Sequence, residues 1–256
     1  MTLRVSCTII SKNEGDRIAR TIRSALSVVD EVVVVDSGST DETRETCEAL
    51  GARVIHNDWP GYGPQKRFAE DAATYDWILN LDADEVLSEG LQREIRLLRE
   101  GGEPPFRGYR FKQVTVYPHE EAPRPFADFH HYVRLYDRRA MRFHDSLVHD
   151  TVDQRGQPVG QFKGVALHYS FRSLDHLAAK LDRYTTLQAK EIKKPAWQLK
   201  IRQPFEYSLL FMRYALFRRH FTGGRYGLQV AHTMAKGRAA RIAKFLATTQ
   251  EASDVS

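Results

Sequence analysis

The sequence predicts an α/β fold, a largely parallel sheet covered by helices, followed by a helical, basic C-terminal extension. Three observations predict it. Short β-branched runs alternate with helix-period segments through the first hundred residues, as βαβ units require. Residues 31–35, Glu-Val-Val-Val-Val, are apolar on both faces, which suits a central parallel strand. The apolar run Trp77-Ile78-Leu79-Asn80-Leu81 ends abruptly in Asp82-Ala83-Asp84-Glu85. A buried strand that stops in Asp-x-Asp delivers hard oxygen donors to the carboxyl edge of a sheet, where open α/β sheets bind ligands. Two carboxylates this close repel unless a cation neutralises them. Mg²⁺ or Mn²⁺ would suit them, and those ions in turn suit the oxygens of a diphosphate.

The elements follow in order. Residues 3–10 read as the first strand, closed by Ser11-Lys12-Asn13-Glu14-Gly15. Ile18, Ile22, Ala25 and Leu26 repeat at helical spacing, with Asn13 and Asp16 as caps. The second strand ends in Asp36-Ser37-Gly38-Ser39-Thr40-Asp41, a turn into a helix that runs to about residue 50 with Ser39 or Thr40 as cap. Arg53-Val54-Ile55 is a short third strand. Loop 56–63 is rich in Gly, Pro and aromatics, and a helix over about 64–73 follows, with Pro64 suited to its first turn. Ser88 caps an amphipathic helix to about Arg99. After Gly101-Gly102-Glu103-Pro104-Pro105 the pattern turns strand-rich over residues 106–170, and from Phe171 onward it is helical and basic.

With 256 residues and 42% apolar content, the chain holds enough for a sizeable core, and global disorder is excluded. A net charge of +5 allows anionic partners without naming nucleic acid, and no nucleic-acid-binding module is recognisable. Cys7 and Cys47 are too few for a disulfide scaffold or a cysteine-rich metal site, and fit a reducing compartment. The N-terminus runs straight into a strand, so no signal peptide is expected. Without about 18–20 uninterrupted apolar residues, no membrane span is expected either.

Asp36 and Asp82 close two predicted central strands and Glu14 lies in the loop after the first, so three acids converge on one crevice, unless each is an ordinary turn or cap residue. Asp41 falls in a first helical turn and reads as a cap.

Three blocks carry a resemblance. Thr8-Ile9-Ile10-Ser11-Lys12-Asn13-Glu14, then Val34-Val35-Asp36-Ser37-Gly38-Ser39-Thr40-Asp41-Glu42-Thr43, then Asn80-Leu81-Asp82-Ala83-Asp84-Glu85 resemble glycosyltransferase family 2 in order and spacing. Within that family, Gly61-Tyr62-Gly63-Pro64-Gln65-Lys66-Arg67, Arg134-Leu135-Tyr136 and Val148-His149-Asp150 look like the bacterial lipopolysaccharide-core β-glucosyltransferases. Those typically have His-Glu where this chain has His149-Asp150. The resemblance covers about residues 3–170. It implies a GT-A fold (a Rossmann-like nucleotide-binding sheet), with a nucleotide-sugar half over about 1–100 and an acceptor half over about 101–170. It also implies inverting, metal-dependent sugar transfer, from UDP-glucose to a lipopolysaccharide inner-core sugar such as heptose.

By motif position, Ser11, Glu14 and Asp36 would contact the nucleotide and Asp82 the ribose or sugar. Asp84 would ligate Mg²⁺ or Mn²⁺. A carboxylate accepts hydrogen bonds from an imide N–H or a ribose hydroxyl. The cation would act as a Lewis acid on the departing diphosphate. Of His130, His131, His144, His149 and His168, only His168 is a candidate further metal ligand, because some GT-A enzymes supply a late histidine. Lys66 and Arg67 lie where a Gly-rich loop enters a helix and could hold phosphate oxygens, or form a solvated helix face. Arg134 and His149 are candidate acceptor or phosphate contacts, with a structural salt bridge the competing reading for Arg134. An inverting transfer needs a base for the acceptor hydroxyl. Asp145 and Asp150 lie in the right region, and Asp150 is preferred because it follows His149.

From Phe171 to Phe245, Lys and Arg outnumber Asp and Glu about four to one, with Trp197, Phe205, Tyr207, Phe211, Tyr214, Phe217 and Phe221 interleaved. Residues 171–256 could form a helical subdomain or lie on an anionic membrane surface. A lipid-linked saccharide acceptor would favour the latter, at the cytoplasmic face of the inner membrane. Two other functions fit less of the sequence. A nucleotidyltransferase would open with a Gly-rich, Arg-containing loop, whereas Ser11-Lys12-Asn13-Glu14-Gly15 has one Gly. A non-catalytic membrane-surface scaffold would not need the acidic triplet.

Overall fold

A computed structural model describes residues 2–147, 150–189 and 195–254. The chain forms two compact units, Met1–Thr115 with Phe129–Ser170, and Val116–Asp128 with Phe171–Ser256.

The first unit is mixed α/β. Strands β1 (Val5–Ser11), β2 (Glu31–Asp36), β3 (Arg53–His56) and β4 (Trp77–Asp82) are parallel. With β5 (Glu85–Leu87), β6 (Gly108–Thr115), β7 (Phe129–Asp137) and β10 (Gly160–His168) they make one eight-stranded sheet, ordered β3-β2-β1-β4-β7-β6-β10-β5. β7 runs antiparallel to both β4 and β6, and β5 antiparallel to β10. A separate two-stranded ribbon joins β8 (Arg142–Phe143) and β9 (Val152–Asp153).

Alternation along the strands sorts their side chains. Val5, Cys7 and Ile9 share one buried cluster with Leu79, Leu81, Phe111 and Leu135. Ile18, Ile22 and Ala25 of α1 (Ile18–Leu26) and Leu91 and Ile95 of α4 (Glu89–Glu100) close it. Elsewhere Val33 and Val35 pack with Ala69 of α3 (Tyr62–Ala72), and Ile78 packs with Tyr136 and Phe143. Each such side chain contributes roughly 1.5–3 kcal/mol on burial.

Ser88 caps α4 as expected, accepting from Leu91 N–H at 3.3 Å. The other expected caps differ. Neither Asn13 nor Asp16 caps α1, which starts after Arg17 with no side-chain cap bond. Asn13 instead adopts a left-handed φ of 56° and its Oδ1 accepts from Thr40 N–H at 2.8 Å. Helix α2 (Thr43–Ala49) starts later than expected, because Ser39 bonds Asp36 rather than the helix end. At α1 a tie between the β1 and β2 loops replaces a local cap.

The second unit includes Val116–Asp128, a segment read from sequence with the strand-rich region. Its helices are α5 (Leu174–Ala189), α6 (Ala196–Met212) and α7 (Gly224–Asp254), with a π-helical turn Arg213–Phe217 and a 3₁₀ turn His220–Gly223 between the last two. Tyr117, Phe171, Leu177, Leu181 and Val230 form its core. Gly227 permits a close approach, since a Cβ there would stand 1.9 Å from the His220 carbonyl oxygen. Among the described residues, no helix is long and apolar enough to cross a membrane.

Candidate active site

The carboxyl ends of β1 and β2 carry the first group. Parallel register sets Ser11 beside Asp36, and Ser11 Oγ donates to Asp36 Oδ1 at 3.2 Å. Asp36 is fully buried; its Oδ2 also accepts from Gly38 and Ser39 N–H at 2.9 and 2.8 Å. The carboxylate therefore builds the turn that follows β2. Gly38 fits there because its φ is +82°. The β1 loop is tied to the same region, with Glu14 N–H donating to Thr43 Oγ1 at 2.8 Å and Gly15 N–H to Asp41 Oδ2 at 3.1 Å. Asp41 thus has the local structural role expected of it.

The end of β4 carries the second group. Lys66 is entirely buried, and its Nζ donates to Asp82 Oδ1 at 2.7 Å, Asn80 Oδ1 at 3.2 Å and Asp150 Oδ2 at 3.2 Å. Arg134, also buried, donates to Asn80 Oδ1 at 2.6 Å and Asp82 Oδ2 at 2.9 Å, with Glu85 Oε1 at 3.5 Å. Burial opposes ionisation of Asp82, but Arg134 and Lys66 outweigh it and hold the carboxyl far below the usual range. At Glu85 burial wins: opposed by Arg134 and reinforced by Asp82, it pushes that carboxyl up to about 7.

Lys66 is thus not on a solvated helix face; it pairs with Asp82 and Asp150. Arg134 takes the salt-bridge role. The Gly-rich loop before Lys66 permits a close backbone approach. Gly63 N–H donates to Ser146 O at 2.9 Å, and a Cβ at Gly63 would stand 2.1 Å from the His144 carbonyl oxygen. Arg67 donates to the Phe143 carbonyl at 3.0 Å. These contacts fix α3 against the segment leading to Asp150. His149 lies outside the described residues.

The third group surrounds Asp84. Its Oδ1 is 3.4 Å from His168 Nε2, and its Oδ2 is 3.4 Å from Arg17. Arg17 also pairs with Glu14 through two guanidinium nitrogens and donates to the Tyr169 carbonyl at 2.8 Å. The antiparallel register of β10 on β5 sets His168 beside Glu85. Burial disfavours the His168 imidazolium, yet Asp84 beside it keeps the pKa above its ordinary value.

The structure therefore gathers Glu14, Lys66, Asp82, Asp84, Arg134, Asp150 and His168 around the end of β4, while Ser11 and Asp36 pair at the ends of β1 and β2, one and two strands away. Arg17, Asn80 and Glu85 belong to the same network and were not singled out from sequence. Arg17 had one local signal, its three-residue spacing from Glu14. Asn80 had another, a polar residue inside an apolar strand.

Among the described residues no three His, Cys, Asp or Glu side chains are arranged to hold a metal ion. The donor set at Asp84 nevertheless fits a divalent cation of the Mg²⁺ or Mn²⁺ kind. Such ions commonly take one or two protein ligands and complete their shell with substrate phosphates and water.

A family model, glycosyl transferase family 2, matches residues 6–153, more than half of the chain. The chain belongs to glycosyltransferase family 2. This family 2 glycosyltransferase is 38% identical over 94% of its length to an uncharacterized glycosyltransferase of Rickettsia felis, covering 89% of that protein. It is 28% identical to the lipopolysaccharide core biosynthesis glycosyltransferase LpsC of Rhizobium meliloti, over 86% of this chain and 85% of that one. Among solved structures, a Mycobacterium tuberculosis glucosyl-3-phosphoglycerate synthase in complex with Mn²⁺, UDP and glucosyl-3-phosphoglycerate matches 46% of this chain and 45% of its own. That match has 24% identity and a TM-score of 0.34. The first unit of this family 2 glycosyltransferase has a parallel-rich mixed sheet, and the C-terminal region is helical.

Proposed function

We propose that this glycosyltransferase moves glucose from UDP-glucose, with inversion, onto a sugar of the lipopolysaccharide inner core, a heptose or its like. The observation that carries the reading is the pairing of Asp84 with His168 at 3.4 Å, next to Asp82 at the end of β4. The lipopolysaccharide assignment rests on the similarity to LpsC.

Asp84 and His168 would hold the divalent cation, which supplies Lewis-acid stabilisation of the diphosphate as it leaves. The chain does the rest. Asp36 acts through the turn it organises, where Ser37–Ser39 would face the nucleotide. Asp150 takes the proton of the acceptor hydroxyl as that oxygen attacks the anomeric carbon and the carbon–phosphate-oxygen bond breaks. Its side chain is 41% exposed, so a substrate hydroxyl can reach it, and Lys66 fixes its orientation at 3.2 Å. Lys66 and Arg134 keep Asp82 ionised in a partly dry site.

The acceptor would be lipid-linked, and a feature of the second unit supports a membrane partner. Trp197, Ile201, Phe205 and Leu209 of α6 follow four-residue spacing and are 62%, 64%, 64% and 60% exposed. Over residues 195–228 the only acid is Glu206, which is buried and bonded to Arg202, against exposed Lys200, Arg213, Arg219 and Arg225. An apolar stripe flanked by cations fits the headgroup layer of an anionic bilayer. On this reading the enzyme works as a peripheral protein at the cytoplasmic face of the inner membrane.

Calorimetric titration of UDP, with and without Mn²⁺, tests the catalytic reading. The wild type binds UDP in a Mn²⁺-dependent way and releases UDP from UDP-glucose when acceptor is present. Asp84→Ala loses at least about tenfold in Mn²⁺-dependent affinity, the effect of removing a metal ligand, with an unchanged unfolding midpoint. Equal affinity in that variant would overturn the assignment. Release of pyrophosphate instead of UDP would point to nucleotidyl transfer.

A further inference from the structure

The turn after β2 has one donor left over. Asp36 accepts four hydrogen bonds, from Ser11 Oγ and Ser39 Oγ at its Oδ1 and from Gly38 and Ser39 N–H at its Oδ2. A carboxylate has about four lone-pair sites, so Asp36 has none to spare for a ligand. Ser37 differs. Its N–H donates to the Ser11 carbonyl at 2.9 Å, and its Oγ accepts from Gln65 Nε2 at 3.0 Å. Its own hydroxyl proton has no acceptor among the described residues. We propose that Gln65 is a positioning residue that fixes the Ser37 hydroxyl as a donor, and that this donor meets a carbonyl oxygen of the nucleobase. The proposal rests on the nucleotide-sugar reading above and names the group that reads the base.

A backbone carbonyl settles which way the Gln65–Ser37 bond runs. Gln65 Nε2 lies 3.1 Å from the Asn57 carbonyl oxygen as well as 3.0 Å from Ser37 Oγ. A carbonyl only accepts, so the end of the Gln65 amide that faces it is the nitrogen. That nitrogen has two hydrogens, and they go to Asn57 O and to Ser37 Oγ. The amide oxygen accepts in turn from Asn57 Nδ2 at 2.6 Å. Ser37 is therefore the acceptor in its bond with Gln65, and its single proton points elsewhere.

Local structure holds this arrangement in place. Gln65 lies in the first turn of α3 and is fully buried, next to the equally buried Lys66. Asn57 follows β3, and its N–H donates to the Asp36 carbonyl at 3.0 Å. One side chain of α3 thus ties together the loops that follow β2 and β3. An apolar residue of similar volume would fill the space but leave the Asn57 carbonyl without its donor. Ser37 is only 6% exposed. A polar side chain so buried, with its donor unspent, calls for a reason, and a bound ligand is one.

The unspent group selects the ligand atom. A hydroxyl whose oxygen already accepts from an amide needs an acceptor for its proton. Uracil offers two, O2 and O4, whereas its imide N–H is a donor and would face another donor. The base is therefore met here through a carbonyl, and the imide contact expected of Asp36 is replaced by one from its neighbour. Phosphate oxygens also accept, but the proposed diphosphate position is at Asp84, beyond the end of β4 and two strands from β2.

Calorimetry on the full chain with Mn²⁺ tests the pair. The ligands are UDP, 2-thio-UDP, 4-thio-UDP, GDP and inorganic pyrophosphate, and the proteins are wild type, Ser37→Ala, Gln65→Met and the double variant. A thiocarbonyl sulfur accepts weakly, so the wild type should bind one of the two thio analogues about three- to tenfold more weakly than UDP, the effect of one neutral hydrogen bond. Ser37→Ala and Gln65→Met should each lose about that much for UDP and no longer separate UDP from the analogue. The double variant should fall no more than about twofold below Ser37→Ala, because Gln65 acts through Ser37. The Kd for pyrophosphate, which has no base, should stay within about twofold throughout. Unchanged UDP affinity in Ser37→Ala overturns the proposal, and so does discrimination between UDP and the thio analogue that persists in that variant. Full addition of the two losses in the double variant overturns the role of Gln65. A parallel fall in pyrophosphate affinity also overturns the proposal, since the variants would then act on the fold or on the diphosphate. Ser37→Ala with the thio analogues decides the matter even where Gln65→Met does not fold. If the wild type binds GDP instead of UDP, with the same dependence on Ser37 and Gln65, the proposal stands and the uridine reading fails. If it binds neither, both fall.

Discussion

Replacing Lys66 with Met removes a buried ammonium and keeps most of the stem that fills its place. At 2.7 Å and an effective permittivity of about 20, the Lys66–Asp82 attraction is about 6 kcal/mol before desolvation is counted. Breaking a buried pair by deleting one partner costs about 3–5 kcal/mol, since the other charge is left behind. Two features of the structure lower that figure. Asp82 keeps Arg134 at 2.9 Å, and the Asp150 side chain is 41% exposed, so water can take over its solvation. The expected loss is therefore about 2–3 kcal/mol. With a urea slope of about 2–3 kcal/mol/M, the unfolding midpoint drops by about 1 M. The double variant Lys66→Met with Asp150→Asn should recover about 1 kcal/mol, because one stranded carboxylate has been neutralised. The second readout is UDP affinity with Mn²⁺, measured in the absence of urea. A structural Lys66 changes it less than about threefold, under 1 kcal/mol. A midpoint unchanged within about 0.2 M, with UDP binding lost, would refute the reasoning and restore Lys66 as a phosphate contact.

Three further outcomes are expected. Asp150→Asn retains Mn²⁺-dependent UDP binding but lowers transfer by about 10²–10⁴-fold, the usual contribution of a general base, read by UDP release at saturating donor. His220 is buried, and desolvation, helped by Arg124, lowers its pKa to about 4, against 6.5 when unperturbed. The unfolded state then binds more protons between those values. Stability is full above about pH 6.5 and falls toward pH 4 by on the order of 3 kcal/mol, and His220→Gln should flatten that part of a denaturation-versus-pH profile. On the second unit, Ile201→Ser with Phe205→Ser should cut co-flotation with vesicles rich in anionic lipid by about tenfold or more, since each buried side chain contributes roughly 1.5–3 kcal/mol. Equal flotation of wild type and variant, or binding only as a concentration-dependent dimer, would remove the membrane partner.

The strand ends were legible because their signals are local. An apolar run that stops at Asp36 or Asp82 can be read without knowing what packs beside it. Lys66 was less legible because its loop of glycines suggested phosphate binding. Its helical phase held the better clue, for Lys66, Ala69, Glu70 and Ala73 fall at the spacing of one buried face, and all four are buried. The caps at Asn13, Ser39 and Thr40 were misread for a different reason. Small polar side chains bond whichever backbone group is nearest, and here that group belongs to another loop. Glu85 and Arg17 owe their places to pairing of β5 with β10 and to contacts across the end of β4, which no local pattern records.

The charges at the end of β4 make the proposed ligand pair reasonable. Glu14, Asp82, Asp84 and Asp150 face Arg17, Lys66 and Arg134, four carboxylates to three fixed cations. Asp82 is clamped by Lys66 at 2.7 Å and Arg134 at 2.9 Å, and Glu14 by Arg17 through two nitrogens. Asp84 stands 3.4 Å from both Arg17 and His168. A divalent cation placed there would have a carboxylate and an imidazole beside it. It would enter together with the ionised phosphates of a nucleotide sugar, as a nearly neutral pair. The cluster's own balance would then be little disturbed, and the cations already clamped on Asp82 would not need to move. A site preorganised in this way stabilises charge that develops on the leaving diphosphate without first rearranging its own groups.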